Sequence, residues 1–448
     1  MANLESVIRR LNPNVPAGLL DDALPRIDRD SNAMRQIRTQ VGADPLAKVL
    51  LAGHIGVGKS TELLELGRRV ARERHVIAVS VASRLGVNNV SAFALLLVVT
   101  DEVLKDFSTA QHLVPPGIIE QLKGHLKDIL RHPGWSGSRV AALAGELLRS
   151  AAQPAPLPGG TEVVARGVAS RVIKLPRDII RLYREVIQEI ALRAVPFEMV
   201  MMMDPRPALA SCGLLLKELE AVAGKPVLVT IDDLDKVRND EARDDVFLTR
   251  AMVWQQLPCG IVATVPLDAV FSDIGPELDQ IWLDIQVLDP LPIPKARPSL
   301  SPEPALPPYV KILASVGAEE VFSRVQCRKL ANASGGLPRV FVSMCAACAR
   351  YALDSGEDHV RDYHIDLAFR DIADKWRGRL NDSDYEALVA VLDSGGSNVP
   401  AAIPLLRDGI LIRDGTAPPD QQFRLAPWAE PLVEAYRERT SRVRPATP

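Results

Sequence analysis

A glycine-rich run that contains a lysine and a serine follows a short apolar segment near residue 53. The run, GHIGVGKS from Gly53 to Ser60, matches the pattern GxxxxGK[ST] in full. Its three glycines let the backbone curl so that successive N–H groups point at one anion, and a following helix adds the partial positive charge of its N-terminus. Lys59 can reach the β- and γ-phosphates of a nucleotide, and the Ser60 hydroxyl can bind Mg²⁺. The run therefore predicts a nucleotide site.

The segments on either side of this phosphate loop supply the strand and the helix that the pattern requires. Residues 48–52, KVLLA, are typical of a short buried strand, and apolar residues recur after Ser60 at the spacing of one helix face. His54 is interpreted as a spacer within the loop rather than a catalytic group. The predicted phosphate-binding residues are Gly53, His54, Ile55, Gly56, Val57, Gly58, Lys59, Ser60 and Thr61.

A second apolar run, Val227 to Ile231, ends in a cluster of aspartates. Its composition is typical of a buried parallel strand. Asp232, at the carboxyl end of that strand, is predicted to bind Mg²⁺ together with Ser60. Asp233 is predicted to orient or deprotonate the attacking water, and Asp235 is a weaker alternative for that role.

Three more apolar runs, residues 75–83, 260–266 and 281–288, bring the number of predicted strands to five. Because these strands alternate with helical segments, the sequence predicts an α/β fold with a doubly wound, five-stranded parallel sheet of the P-loop NTPase type. Thr264, near the end of one strand, is either a polar sensor of the γ-phosphate or a strand residue without a catalytic role.

With both phosphate motifs in place, the chain resembles the AAA+ and STAND (NB-ARC-like) branch of P-loop ATPases, which includes bacterial signalling and defence ATPases. Beyond those motifs, the resemblance rests on SGGLPRVFVSMCAACARYAL, residues 334–353. In the AAA+ pattern an arginine early in a lid helix reaches the γ-phosphate, and Arg339 matches it. In the STAND pattern a GLP turn puts a proline against the base, and Pro338 matches it. The resemblance implies ATP and Mg²⁺ as ligands and ATP hydrolysis as the reaction; a plain helix cap is the alternative explanation of the lid match.

Two features depart from that family pattern. A long helical stretch, about residues 91–222, separates the second and third strands, and we interpret it as an inserted helical subdomain. No Lys or Arg occurs from Ala251 to Pro294, where a ring-forming AAA+ ATPase usually carries an arginine finger. A partner, or Arg243 or Arg250 of a neighbouring copy, could supply the missing cation.

The rest of the chain divides into further predicted units around the ATPase domain. The predicted units are an N-terminal helical segment (1–45), the ATPase domain (46–290), a Pro-rich linker (291–308), a helical lid (309–378) and a winged-helix-like domain (379–448). Winged helices often bind DNA. From Asn381 to Pro448, however, seven arginines face ten acidic residues, which favours a regulatory or packing role.

Composition and charge limit the classes of partner. The formal net charge is −3 and no apolar run approaches the ~20 residues of a membrane span, so we expect a cytoplasmic protein without membrane contact. The segment 162–184 carries six basic and two acidic residues. It is either a solvated helix face or a docking patch for an acidic partner or nucleic acid.

The leading hypothesis from the sequence is a slow, ATP-driven molecular switch. It would control an effector or regulatory protein on a separate chain, as in phage defence or stress signalling, with a second copy of the chain as a further partner. The alternative is a nucleic-acid-binding AAA+ ATPase of the replication-initiator or transposition-regulator kind.

Overall fold

A computed structural model describes residues 4–13, 31–87, 89–109, 113–131, 135, 173–174, 177–192, 203–282, 284–293, 306–397, 399–413 and 423–443. Most of the basic segment 162–184 lies outside the described residues, as do residues 294–305 of the Pro-rich linker and the tip of the C-terminal hairpin.

In the described residues, nine strands form one large sheet and two small ones. In chain order they are β1 Lys48–Gly53, β2 His75–Ser80, β3 Leu113–Val114, β4 Ile173–Lys174, β5 Val227–Asp232, β6 Gly260–Val265, β7 Ile285–Leu288, β8 Leu411–Arg413 and β9 Phe423–Leu425. The central sheet is parallel, in the order β2-β5-β6-β1-β7. This confirms the predicted five-stranded P-loop NTPase sheet. The fifth strand begins later than predicted, because Ile281 ends a helix.

Seventeen α-helices are found in the described part of the chain. They are α1 Leu4–Arg10, α2 Asn32–Ala43, α3 Lys59–Val70, α4 Ala92–Thr109, α5 Pro116–Leu130, α6 Arg177–Leu192, α7 Arg206–Ala223, α8 Asp240–Asp244, α9 Ala251–Gln255, α10 Leu267–Phe271, α11 Gly275–Ile281, α12 Pro307–Ser315, α13 Arg324–Ala333, α14 Pro338–Asp354, α15 Asp362–Arg377, α16 Asp382–Asp393 and α17 Glu430–Val443. Two 3₁₀ helices, Leu234–Lys236 and Pro400–Leu406, are important below.

The sheet is covered on both faces. β5 and β6 are buried almost throughout, as expected of parallel strands between two helical layers. Since crossovers between parallel strands are right-handed, α3 covers one face, and the helices that lead from β5 to β6 and from β6 to β7 cover the other.

The carboxyl ends of the five strands meet at one edge of the sheet, where the two phosphate motifs lie. Ser80 is opposite Asp232 in the ladder between β2 and β5. Leu51 is opposite Thr264, and Gly53 is opposite Leu288. The fold therefore brings residues that are far apart in sequence to one edge.

The inserted segment packs as helices α4 to α7, and a short antiparallel pair, β3 with β4, adds an element that the sequence did not predict. The lid, α12 to α15, has its own apolar core, to which helix α1 contributes Leu4 and Val7 and the residue after it contributes Leu11. The N-terminal helix therefore packs on the lid rather than on the sheet.

The C-terminal module, residues 382–443, consists of α16, the 3₁₀ helix 400–406, the β8–β9 hairpin and α17, which is a winged-helix-like arrangement. Its second helix is 3₁₀ rather than α, and Pro404 inside it lacks the N–H that an α-helical bond would need. The apolar side chains of the module continue the core of the domain that carries the central sheet. No helix in the described ranges is long and apolar enough to cross a membrane.

Candidate nucleotide site

The phosphate loop joins β1 to α3 through glycines in left-handed conformations. Gly56 has φ 83° and Gly58, the residue before α3, has φ 107°. A Cβ atom on Gly56 would lie 2.6 Å from the Cβ of Arg339, so the lid helix leaves no space for a side chain there. Conformation and packing therefore both require glycine at position 56.

Lys59 is a buried cation whose ammonium group is held by three oxygens. Its Nζ lies 2.8 Å from Oδ2 of Asp235, 2.5 Å from the Gly53 carbonyl oxygen and 3.0 Å from that of His54. The side chains of Lys59 and Asp235 are only 3% and 5% exposed. A phosphate bound here would exchange with these oxygens, and Asp235 would lie beside it.

Ser60 and Asp232 face each other across the ends of α3 and β5. Burial raises the pKa of Asp232, and the charges of Asp233 and Asp235 raise it further, although a hydrogen bond with the Ser60 hydroxyl lowers it. A cation at this position would relieve that burial of negative charge. The carboxylate and the hydroxyl are hard oxygen ligands of the kind that Mg²⁺ shares with substrate phosphates. No group of three or more His, Cys, Asp or Glu side chains in the described ranges could hold a metal. The oxygen ligands of Ser60 and Asp232 fit a Mg²⁺ ion that is bound by phosphate oxygens as well.

Asp233 is oriented towards the end of β2. It is the only non-glycine residue with positive φ in the described part of the chain, at 75°. Its carboxylate accepts hydrogen bonds from Ser80 Oγ at 2.7 Å and the Ala82 amide at 3.4 Å, and it forms an ion pair with Lys236. Although burial raises the pKa of Asp233, the hydrogen bonds from Lys236 and Ser80 bring it below the ordinary value. As a base for water, Asp233 would have to leave these partners.

Thr264 is fully buried and positions the turn that carries Asp235. Its hydroxyl accepts hydrogen bonds from the backbone N–H groups of Leu234 at 3.0 Å and Asp235 at 3.4 Å. Its link to Lys59 therefore runs through Asp235.

The first turn of the lid helix α14 lies against the phosphate loop. Pro338 begins the helix, and the Arg339 amide donates to the Gly56 carbonyl oxygen at 3.2 Å. The Arg339 guanidinium donates from Nε to the Pro13 carbonyl oxygen at 3.1 Å. The glycine turn before α14 is fixed by the Leu291 amide, which donates to the Gly336 carbonyl oxygen at 2.8 Å. Of the remaining loop residues, Val57 is buried, whereas Ile55 and Thr61 are half-buried.

His54 is more than a spacer in the phosphate loop. The residue is 1% exposed, and its ring lies against the C-terminal module. Nδ1 is 3.1 Å from the Leu406 carbonyl oxygen, and Nε2 accepts a hydrogen bond from the Arg413 amide at 2.9 Å. Burial lowers the pKa of His54 to about 3, so the ring is neutral. Its side chain therefore contacts the module, and only its backbone belongs to the phosphate site.

The two arginines considered as trans-acting fingers are engaged within their own chain. Arg250 forms an ion pair with Asp245, whose carboxylate is fully buried and also accepts from the Ala92 amide at 2.9 Å. Arg243 pairs with Asp240 and Asp244, each at 2.8 Å. Both arginines therefore have local structural roles, and a finger supplied by either would first have to leave these partners.

Similar proteins were found only by structure. No protein-family profile and no curated protein sequence matches the chain. Cdc6p from Pyrobaculum aerophilum is similar with 12% identity and a TM-score of 0.40, over 97% of this chain and 98% of that one. Aeropyrum pernix ORC1, in a complex with DNA, has 13% identity and a TM-score of 0.41 over the same shares. The Thermotoga maritima RuvB branch migration motor has 11% identity and a TM-score of 0.35, over 94% and 98%.

Proposed function

We propose that this protein is a Mg²⁺-dependent ATPase of the AAA+/STAND kind that works as a slow molecular switch. The observation that carries the proposal is the meeting of Lys59, Ser60 and Asp232 at one edge of the sheet, beneath a lid helix whose first turn contains Arg339. A cation, a hydroxyl and a carboxylate beside a glycine loop form a site for a nucleoside triphosphate and its metal ion.

Each residue has a separate task in this proposal. The loop amides and Lys59 bind the β- and γ-phosphates, while Ser60 and Asp232 would hold Mg²⁺. Mg²⁺, when bound, would neutralise charge that develops on the phosphate oxygens. Asp233 or Asp235 would orient the attacking water, Arg339 would contact the γ-phosphate, and Pro338 would pack against the base. Thr264 would act as a sensor by positioning Asp235.

Calorimetric titration of the purified protein with ATP and ADP, with and without Mg²⁺, tests the proposal, together with phosphate release. We expect Mg²⁺-dependent binding and slow release of phosphate. Absence of binding by the folded wild-type protein would overturn the assignment.

Two isosteric variants distinguish the candidate bases. Asp233→Asn should leave ATP binding intact and lower the hydrolysis rate by about 10²- to 10⁴-fold if Asp233 is the base, because general bases contribute about that much. Asparagine tolerates the positive φ at this position, so the backbone should be preserved. Asp235→Asn is the matched variant. If it alone stops turnover in single-turnover assays with bound ATP, Asp235 is the base and the assignment of Asp233 is wrong.

Arg339→Ala should reduce the preference for ATP over ADP rather than nucleotide binding as a whole. A charged hydrogen bond to the γ-phosphate contributes about 1.5–3 kcal/mol, so we expect ATP affinity to fall about tenfold or more with little change for ADP. Calorimetry with both nucleotides measures this ratio. An equal loss for ATP and ADP would show that Arg339 supports only the loop at Gly56, and Arg339→Lys is the control that retains the charge.

The switch proposal is supported by two modules that touch the same loop. The lid contacts Gly56 and the C-terminal module contacts His54, so a change at the phosphates can reach either module directly. An effector or regulatory protein on another chain, or a second copy of this chain, would bind according to the positions of the lid and the C-terminal module. Phage defence and stress signalling are examples of such systems.

A nucleic-acid-binding AAA+ ATPase is the second candidate. The winged-helix-like module favours it, and so do Arg177 and Arg181, which lie on the exposed side of α6. The 3₁₀ helix 400–406 opposes it, because this helix packs on α10 of the ATPase domain rather than facing outwards. Binding of duplex and single-stranded DNA titrated with salt tests this candidate, since affinity carried by phosphate contacts must fall steeply with salt.

A further inference from the structure

We propose that His54 is a positioning residue of the phosphate loop, and that through it the C-terminal module forms part of the nucleotide site. The proposal deepens the ATPase assignment and rests on it. The contacts that carry it join residue 54 to residues 406 and 413, across the interface between the ATPase domain and the module.

Both ring nitrogens of His54 are used, and both partners are backbone groups. Because Nε2 accepts from the Arg413 amide, Nδ1 must carry the proton and donate to the Leu406 carbonyl oxygen. One imidazole therefore bridges the end of the 3₁₀ helix and the end of β8. Backbone partners make the bridge depend on the fold of the module rather than on its side chains.

His54 is held from the phosphate side as well. Its carbonyl oxygen accepts from Lys59 Nζ at 3.0 Å and from the Val57 amide at 3.1 Å. The backbone of His54 is thus held by Lys59, and its ring is held by the C-terminal module. A shift of the loop when Lys59 exchanges its oxygens for phosphate would be transmitted to the ring.

Around this bridge the module shares an apolar core with the domain that carries the sheet, and polar contacts at its border extend to the lid. Arg407 forms a two-point ion pair with Asp268 of α10, at 3.1 and 2.5 Å, and Arg424 donates to the Gly335 carbonyl oxygen at 2.9 Å. A cleft of about 990 Å³ separates the module from the ATPase domain nearby, lined by Arg238, Asp268, Trp376, Arg379 and Arg407 among others. The module is thus docked by apolar packing together with polar contacts beside the cleft.

The contacts of the His54 ring with the C-terminal module should hold the phosphate loop in one conformation and so favour nucleotide binding. A loop already held in one conformation loses less conformational entropy when it closes on phosphate. By linkage, bound nucleotide must then strengthen the docking of the module by the same factor. We expect this factor to be about five- to tenfold, at the lower end of typical couplings between sites.

The test removes the bridge from each side in turn. His54→Ala removes the ring, and Arg413→Pro removes the amide that donates to it. Arg413→Ala is the matched control, since it loses the same side chain, including the ion pair with Asp289, but keeps the amide. The Arg413 amide donates to His54 and not across the hairpin, so proline there removes no ladder bond. Affinity for Mg-ADP and Mg-ATP is measured by calorimetry.

We expect His54→Ala and Arg413→Pro each to weaken nucleotide affinity about five- to tenfold, and the double variant to be no worse than either, because both remove one interaction. Arg413→Ala should remain within about twofold of wild type. His54→Gln, which can still accept from the amide, should recover part of the loss. Hydrogen exchange of residues 407–413 should slow on nucleotide binding in the wild type and not in His54→Ala.

Normal nucleotide binding by wild type with unchanged affinity in His54→Ala would overturn this inference alone. Additive losses in the double variant would do the same. If the wild type does not bind nucleotide, the ATPase assignment fails and the inference with it. Should Arg413→Pro fail to fold, His54→Ala, its glutamine rescue and the exchange data still decide the question.

Discussion

Lys59→Met should abolish detectable ATP binding and also destabilise the protein by about 3–5 kcal/mol, because breaking a buried ion pair leaves an uncompensated charge. Here the Lys59 side chain is 3% exposed and its partner Asp235 is 5% exposed. Because methionine retains an apolar side chain of similar length, the loss of stability arises mainly from the unpaired carboxylate of Asp235.

The double variant Lys59→Met/Asp235→Asn separates the two effects. It should regain most of the lost stability, since no buried charge is left unpaired, yet still fail to bind ATP. Denaturant unfolding measures stability, and calorimetry measures binding. If the single variant is as stable as wild type, the ion pair contributes nothing in solution. ATP binding by either variant would show that Lys59 does not belong to the nucleotide site.

Turnover by the isolated chain should be slow, and a cation supplied by a second molecule should raise it by about 10³- to 10⁵-fold. The segment from Ala251 to Pro294 carries no Lys or Arg, and Arg243 and Arg250 are engaged by aspartates of their own chain. Such a rate increase corresponds to roughly 4–7 kcal/mol of barrier.

Phosphate release measured over a wide range of protein concentration, with and without candidate partners, tests this expectation. A rate per molecule that is fast and constant in dilute protein would show that the chain supplies its own cation, and Arg339 would be the first residue to replace. Arg250→Gln is an informative control. Because Arg250 holds Asp245, which caps α4, this change should lower the melting temperature without changing the rate per folded molecule.

The parts of the site that lie close together in sequence could be predicted from it. The phosphate loop and the aspartates at the end of β5 are local patterns, in which each strand leads directly to the residues proposed to bind phosphate or metal. Burial at Leu63, Leu66 and Val70 of α3 likewise follows from helical periodicity. The sheet followed from alternating strands and helices, although β7 was predicted four residues too long at its start.

The contacts that the sequence did not reveal join residues that are far apart in the chain. The partners of His54 are about 350 residues downstream, and Ser80 is about 150 residues upstream of Asp233. No local pattern encodes such pairs, because they depend on how whole modules dock. The only sequence signal for a role of Ser80 was that it is a polar residue at the carboxyl end of β2. The burial of Lys59 was missed for the same reason, since Asp235 covers it only after β1 and β5 enter one sheet.

The strand order of the sheet also has a consequence for how the chain is made. β1 lies between β6 and β7, which pair with it through Lys48–Ile261 and Leu50–Ile285 and complete both of its edges. β7 begins about 230 residues after β1 ends. At a synthesis rate of about 5–20 residues per second, roughly 10–50 s pass before both partners exist. During that interval the apolar strand KVLLAG has two unpaired edges, which are templates for aggregation. Among the strands of the central sheet, β1 is thus synthesised first and has its second edge paired last, and we expect chaperones or the helices that follow it to cover it in the nascent chain.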